Sequence, residues 1–317
     1  MKTLAEFFSK QLGLLILLVS IATYFSPVYW DAPSSVPRIF LGMVIFFTGL
    51  SMNTNALKEI RYKKKELAIT VLMKWTITII ISVAIAHIFL SSHAELAAGL
   101  ILTGAVPSAT AATLYTFLAG GNISLVIAAS LLDVVISPVV APLAMIGLDT
   151  ATISLSFISL LKSFLIIVII PIVAGITLQR VFPQLPQHSG NVTKLLSPIS
   201  LLIVIHTLMG NGKYYIAKEI SLLPIILFAV LLQTIIPMII CYWIAKVVFQ
   251  DEADARAALF QTSLCNSALA GILASEYFGG LGAVPAVINL IISLSIGAQI
   301  ANRFTKKQTK LSKKAVA

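Results

Sequence analysis

The sequence predicts an all-α polytopic membrane protein of ten transmembrane helices, arranged as two inverted five-helix repeats. Three observations predict it. Of the 317 residues, 58% are hydrophobic and 11% are charged, whereas a soluble domain carries roughly 25% charged residues to face water. The apolar residues fall into ten long runs. A segment of the first half also recurs in the second half at an offset of 159 residues, close to half the chain. With five spans per half, an odd number, the second half must lie upside down in the bilayer relative to the first.

The same composition excludes a cytosolic enzyme, a nucleic-acid-binding module and a disordered regulator. Unbroken apolar runs exclude an outer-membrane barrel, whose strands alternate lipid-facing and lumen-facing residues. The net charge of +10 is concentrated in loops and the C-terminal tail, where it reads as a topology determinant and not as a nucleic-acid patch. Cys241 and Cys265 both lie within apolar runs, so no disulfide framework is expected.

A spanning helix needs about 20 apolar residues to cross a core of roughly 30 Å. The runs lie near 11–29, 37–54, 66–90, 95–120, 122–148, 155–179, 193–210, 221–249, 254–278 and 281–303. The first follows Lys2 and Lys10 but lacks a small-x-small cleavage site, so it reads as an uncleaved span and not as a signal peptide. The third carries Lys74 and the fifth Asp133, about 12 and 16 Å in from the same side at 1.5 Å per residue. Lys162 sits near the end of the sixth run, within reach of the interface by snorkelling. His87 and His206 read as packing residues. Asp251, Glu252, Asp254 and Arg256 read as a solvated loop next to the inner face. Residues 1–150 then form the first repeat, 151–304 the second, and 305–317 a basic tail.

Orientation follows from the basic residues. With the N-terminus inside, 17 of the 22 Lys and Arg face the cytoplasm, three (Arg38, Lys213, Lys218) face outward, and Lys74 and Lys162 lie within spans. This satisfies the positive-inside rule. Both termini are expected in the cytoplasm and the protein in the plasma (inner) membrane.

The repeated segments read PSATAATLYTFLAGGN at 107–122 and NSALAGILASEYFGGL at 266–281, with six of 16 positions identical. Both lie in interrupted spans. The fourth has Gly104 and Pro107 followed by Ser108, Thr110 and Thr113; the ninth has Gln261, Thr262, Ser263, Cys265, Asn266 and Ser267. Proline removes a backbone donor and disfavours helix before it. Unsatisfied backbone in lipid costs several kcal/mol, so such breaks persist only inside protein or along a cavity. Two half-helices beginning near Ser108 and Asn266 would aim positive N-termini at one place, a seat for a carboxylate. The competing reading is that Pro107 merely kinks a packed helix; two interruptions at matched positions favour the site.

A lone charge at mid-membrane costs on the order of 3 kcal/mol, so Lys74 and Asp133 each need a partner or a wet cavity. They read as parts of an ion or proton pathway. The alternatives are snorkelling for Lys74 and a static hydrogen bond for Asp133.

At these residues the sequence resembles the bile acid:sodium symporter (BASS) family, including bacterial relatives of the apical sodium-dependent bile acid transporter. The resemblance covers essentially the whole chain, from FLGMVIFFTGLSMN (40–53) onward. It is most specific in GLILTGAVPSATAATLYTFLAGGNISL (99–125) and DARAALFQTSLCNSALAGILASEYF (254–278). It implies a panel domain and a core domain, crossed fourth and ninth helices, and alternating-access transport of organic anions with two sodium ions. The family's Pro-Gly-Gly-Thr-Ala-Ser-Asn motif is met at Pro107, Thr110 and Ala111, but Ala112 and Thr113 replace its last two residues. Its Glu-x-x-x-Gln-Asn motif becomes Gln261-x-x-x-Cys265-Asn266. Lys74 falls where the family has a sodium-binding Gln, Val126 takes a hydroxyl position, Ser130 keeps one, and Asp133 is an added acid. The ammonium of Lys74 is therefore expected to replace one sodium, with protonation of Lys74 or Asp133 taking over ion coupling.

The sequence is thus read as a secondary active transporter of a small organic anion, pantoate- or ketopantoate-like or another carboxylate, with a sterol-acid sodium symporter as the alternative. Thr110, Ala111, Asn266, Ser267, Asn289 and Ser293 are expected to hold the substrate. Lys74, Asp133, Thr113, Ser130, Gln261 and Cys265 are expected to serve ion coupling, with sodium or a proton as the coupling ion and no other cofactor. Partners are the anion and the lipid bilayer, with no nucleic acid; both a monomer and a homo-oligomer fit. A passive channel would need a charged ring or filter run, and a membrane enzyme a nucleophile–base or metal constellation; neither pattern is present. A ligand sensor would bind without counterflow.

Overall fold

The computed structural model describes residues 8, 11–27, 30, 32–52, 60–145, 157–182 and 184–316. The boundary expected between residues 150 and 151 lies outside them, as do Lys2, Lys10 and Lys58 of the orientation count. Eleven helices account for the described chain: α1 (Leu12–Phe25), α2 (Ser35–Ser51), α3 (Lys64–Leu90), α4 (Ala94–Ala105), α5 (Thr110–Leu118), α6 (Ile123–Ala144), α7 (Ile158–Val181), α8 (Leu185–Lys218), α9 (Leu223–Val248), α10 (Glu252–Ser263) and α11 (Ser267–Val316). Six of them, α3, α6, α7, α8, α9 and α11, are long and apolar enough to cross a bilayer. This is a multi-pass, all-helical membrane protein.

The helices depart from the expected runs where local chemistry intervenes. The runs near 11–29 and 37–54 fold as helices of 14 and 17 residues. The run near 95–120 divides into α4 and α5, because Pro107 offers no N–H to continue the ladder. The ninth divides likewise into α10 and α11. The tenth is continuous with the second half of the ninth except at Gly279, whose φ of 75° breaks the helical backbone. The basic tail forms no separate element: the helical backbone continues to Val316. Within α3, a π-helical turn at Lys74–Thr78 separates two α-helical stretches.

The helices pack in two groups. In one, α2 lies against α7 and α8, and α8 against α1. In the other, α4 packs against α11 and α3, and α10 against α9, α5 and α6. The main bridge between the groups is α8 on α11. The heart of the second group is α4, in which every residue from Leu96 to Ala105 is buried. A helix that is apolar on all sides finds its place inside protein. Gly99 allows this, because a Cβ there would collide with the Gly282 carbonyl oxygen of α11.

Two glycines alone among the described residues have positive φ, Gly120 (64°) and Gly279 (75°). They occupy equivalent positions of the 159-residue repeat, and each follows the half-helix that begins at a break. Positive φ is strained for side-chain-bearing residues, which gives the Gly120/Gly279 identity a conformational cause.

Candidate functional site

The two breaks meet. Helix α4 ends at Ala105, Val106 and Ala109 are extended, and α5 restarts at Thr110. Helix α10, entering from the opposite end of the bundle, stops at Ser263, and α11 begins at Ser267. Ser108 pairs with Cys265 in an antiparallel bridge. Ala109 N donates to Leu264 O at 2.7 Å, and Asn266 N donates to Pro107 O at 2.8 Å. Backbone groups freed by each break are thus satisfied by the other, as a low-dielectric interior demands. Neither break could be stable without its partner, which is a physical reason for both to occur at matched positions.

Both buried charges converge on this crossing. Lys74, at the first residue of the π-helical turn, is fully buried. Its Nζ donates to Gly104 O at 3.1 Å and to Cys265 Sγ at 2.9 Å. Gly104 O is one of the last carbonyls of α4, left without an intrahelical partner, and a cation there complements the helix dipole. Lys74 therefore points inward and does not snorkel.

Asp133, also fully buried, is surrounded by donors. Trp75 Nε1 donates to Oδ1 at 2.8 Å. Oδ2 faces Ser108 N at 3.3 Å, Ser108 Oγ at 2.7 Å and Gln261 Nε2 at 2.9 Å. The Gln261 amide is fixed from its other side, where Oε1 accepts from Ser130 Oγ at 3.1 Å. The Ser108 hydroxyl also lies 2.5 Å from Gln261 O, and its single proton serves one acceptor at a time. Lys74 and Asp133 form no direct ion pair among the described residues. They belong to two faces of the same crossing, linked through Trp75, Ser108 and Cys265.

A second polar network lies at the start of α11. Ser267 Oγ donates to Asn289 Oδ1 at 2.7 Å. Asn289 Nδ2 donates to Thr234 Oγ1 at 3.2 Å and to Gln233 Oε1 at 3.5 Å. Gln233 Nε2 in turn donates to Leu100 O at 2.6 Å and Ser82 Oγ at 2.9 Å. Ser267 and Asn289 are buried in it, while among the described residues Ser293 bonds only to Leu290 O of its own helix, at 3.5 Å.

The two half-helix starts differ. Asn266 Oδ1 accepts from Leu269 N at 3.2 Å and so caps α11. Helix α5 has no side-chain cap; Thr110 is exposed, and Ala111, Thr113 and Asn266 are half-buried beside it. One positive helix end is therefore open in this conformation and the other is filled by the chain itself.

Trp75, Gln233 and Thr234 join these networks without having been singled out in the sequence; Gly104 was expected as part of an interrupted span, and its carbonyl is found as the acceptor for Lys74. Gln233 had a signal, as an uncharged amide in the middle of the most apolar stretch. Trp75 had none beyond its place next to Lys74.

Polar ties hold both ends of the bundle. At one end, Lys63 Nζ contacts Asp254 at 2.6 Å and Asp251 at 3.2 Å. Asn122 Nδ2 donates to Asp254 Oδ1 at 2.6 Å, and Arg256 to Ala119 O at 2.8 Å. Burial works against the Lys63 charge, but the bonds to Asp254 and Asp251 outweigh it and hold its pKa above the usual lysine value. The Ala253 backbone N–H, with help from Lys63, holds Asp251 below the usual carboxylate range. At the other end, Arg38 of α2 pairs with Glu276 of α11 at 2.7 Å, and Ser163 of α7 bonds to Tyr277 of α11 at 2.8 Å.

Comparison with known proteins agrees with this architecture. A family model described as the sodium bile acid symporter family matches residues 38–219. The uncharacterized sodium-dependent transporter YocS of Bacillus subtilis (strain 168) is 27% identical over 309 residues, spanning 98% of this chain and 95% of that protein. The probable sodium/metabolite cotransporter BASS1, chloroplastic, of Arabidopsis thaliana is 26% identical over 308 residues, spanning 95% of this chain and 73% of that protein. Uncharacterized protein YbaS of Bacillus subtilis (strain 168) is 21% identical over 280 residues, 86% of this chain and 90% of its own. With more than half of its length matched by the family model, the chain belongs to the sodium bile acid symporter family.

Proposed function

We propose that this protein is a secondary active transporter, not an enzyme, that carries a small organic anion of the pantoate or ketopantoate type across the inner membrane by alternating access. The observation that carries the reading is the open N-terminus of α5 at the paired break. Free N–H groups at a helix start, here with Thr110 exposed and Ala111 half-buried, attract a carboxylate. A compact anion suits the seat, because only one helix end is open to receive it. Thr110, Ala111 and Asn266 form its near wall, with Ser267, Asn289 and Ser293 behind them.

The two groups of helices supply the moving parts. Taking α4 with α5, and α10 with α11 up to Gly279, as single interrupted spans gives ten spans in two inverted halves. The matched positive-φ glycines support that repeat. Both termini then face the cytoplasm. Coupling falls to the residues under the seat, Lys74, Asp133, Thr113, Ser130, Gln261 and Cys265, and to a sodium or proton gradient.

The test is uptake of radiolabelled pantoate into proteoliposomes under an imposed sodium gradient or an imposed pH gradient. Accumulation under either gradient is the expected result. Absence of uptake and of counterflow in both would overturn the substrate assignment.

A further inference from the structure

Sodium, the co-substrate in the family's name, needs a shell of hard oxygen acceptors such as carboxylates, carbonyls and hydroxyls. The carboxylate and amide oxygens at this crossing, and the carbonyls of Gly104, Pro107 and Leu264, already accept from donors. Both oxygens of Asp133 accept, one from Trp75 and the other from Ser108 and Gln261. Gln261 turns its N–H, not its oxygen, toward Asp133, and its Oε1 accepts from Ser130. Pro107 O and Leu264 O accept from the facing backbone. Gly104 O accepts from Lys74, and the remaining atom beside the ammonium is the soft sulfur of Cys265. The residues present do not fit a sodium ion.

Charge tells the same story. The crossing contains one buried basic and one buried acidic side chain, so with both ionised it is neutral with no ion bound. An incoming cation would meet the field of Lys74, while the carboxylate, amide and carbonyl oxygens named above are already engaged by donors. A neutral crossing that leaves the α5 start open is complete for receiving an anion.

Resting on the transporter reading above, we propose that the Lys74 ammonium takes the place of a bound sodium ion, so that the protein binds and moves its anion without sodium. The ammonium is fixed to the protein by its side chain, and it bridges α4 to the α10–α11 break much as a shared ion would.

Two measurements on the full-length protein test this. The first needs no substrate: thermal unfolding of purified protein in sodium chloride and in choline chloride at equal ionic strength. The expected result is the same Tm in both; a saturable rise specific to sodium would overturn the proposal. The second is pantoate counterflow in proteoliposomes with and without sodium. Equal rates are expected, and a rate that requires sodium overturns the proposal while leaving the transporter reading intact. Counterflow absent from both media, with Tm indifferent to sodium, overturns the pantoate assignment and supports the absence of a sodium site. Lys74→Gln, which exchanges the ammonium for an amide, is expected to lose sodium-free counterflow. Wild-type counterflow by that variant in choline would show that the ammonium is not the substitute, and the wild-type measurements decide the matter should the variant fail to fold.

Discussion

Asp133 on α6 accepts a hydrogen bond of 2.9 Å from the side-chain amide of Gln261 on α10, so the acid and the amide lock two helices together at the level of both breaks. The carboxylate also takes Ser108 and Trp75 as donors. Asp133→Asn would turn an N–H toward groups that are themselves donors, leaving buried polar atoms unsatisfied. A loss of about 1–3 kcal/mol is expected, seen as a lowered Tm in detergent together with loss of transport. An unchanged Tm would show that these donors have other acceptors within reach.

Gly99 faces the Gly282 carbonyl so closely that a methyl group cannot be accommodated without moving α4 away from α11. Overpacking of this kind costs roughly 1–3 kcal/mol. Gly99→Ala is therefore expected to lower Tm, whereas Gly212→Ala, at a position with open space around it, should leave Tm unchanged or slightly raised. Equal effects of the two substitutions would contradict the close approach.

The class of fold was legible in the sequence because it depends on composition and run length, which bilayer thickness dictates. The breaks were legible because Pro107 and the polar run from Gln261 to Ser267 are chemically out of place in lipid. What was not legible is which atoms satisfy them. That Ser108 pairs with Cys265, or that Gln233 reaches Leu100 O, depends on long-range packing that no local pattern encodes. The inward turn of Lys74 was likewise undetermined, since its long stem permits either direction and only the free carbonyl at the end of α4 selects one. Gly120 and Gly279 were visible as identities of the repeat, and their positive φ explains why those identities matter.

The tie between Lys63, Asp251 and Asp254 carries a pH dependence of known sign. The pKa of Lys63 is raised on folding, so its contribution is full below the ordinary lysine value and is lost as pH climbs through the raised one. Asp251 is lowered, so its contribution is full above the ordinary carboxylate value and is lost as pH falls through the lowered one. The Tm difference between wild type and Lys63→Met should therefore be flat through neutral pH and shrink at both extremes. A difference that peaks or vanishes near neutrality would contradict the assignment.

Arg38 and Glu276 join the two helix groups at the end opposite Lys63. Their side chains are 37% and 23% exposed, and a pair so accessible to water contributes no more than about 1 kcal/mol to stability. On the proposed alternating-access reading the two helix groups part and rejoin during transport, so the weight of this pair should fall on the transport cycle. Arg38→Glu is expected to slow counterflow with little change in Tm, and the double swap Arg38→Glu/Glu276→Arg to restore it. Full activity of the single reversal would show that the contact does not gate the movement.

On the proposed reading, Asn266 has two tasks, one for each end of its amide. Its oxygen caps α11 through Leu269 N, while among the described residues its Nδ2 has no hydrogen-bond partner, and its backbone N–H ties it to Pro107 at the break before α5. Substitutions can separate the tasks. Asn266→Ala removes the cap, at a cost of about 1 kcal/mol, along with the donor. Asn266→Asp keeps an acceptor for Leu269 N, and a carboxylate at a helix start is at least as good a cap; it replaces the donor with a negative charge beside the proposed anion seat. The aspartate variant should therefore retain its Tm and lose pantoate binding and counterflow, while the alanine variant loses Tm and is impaired in both. Retained binding by Asn266→Asp would move the seat away from the crossing. A Tm loss equal to that of the alanine variant would mean that the amide nitrogen, and not the cap, holds the start of α11 in place.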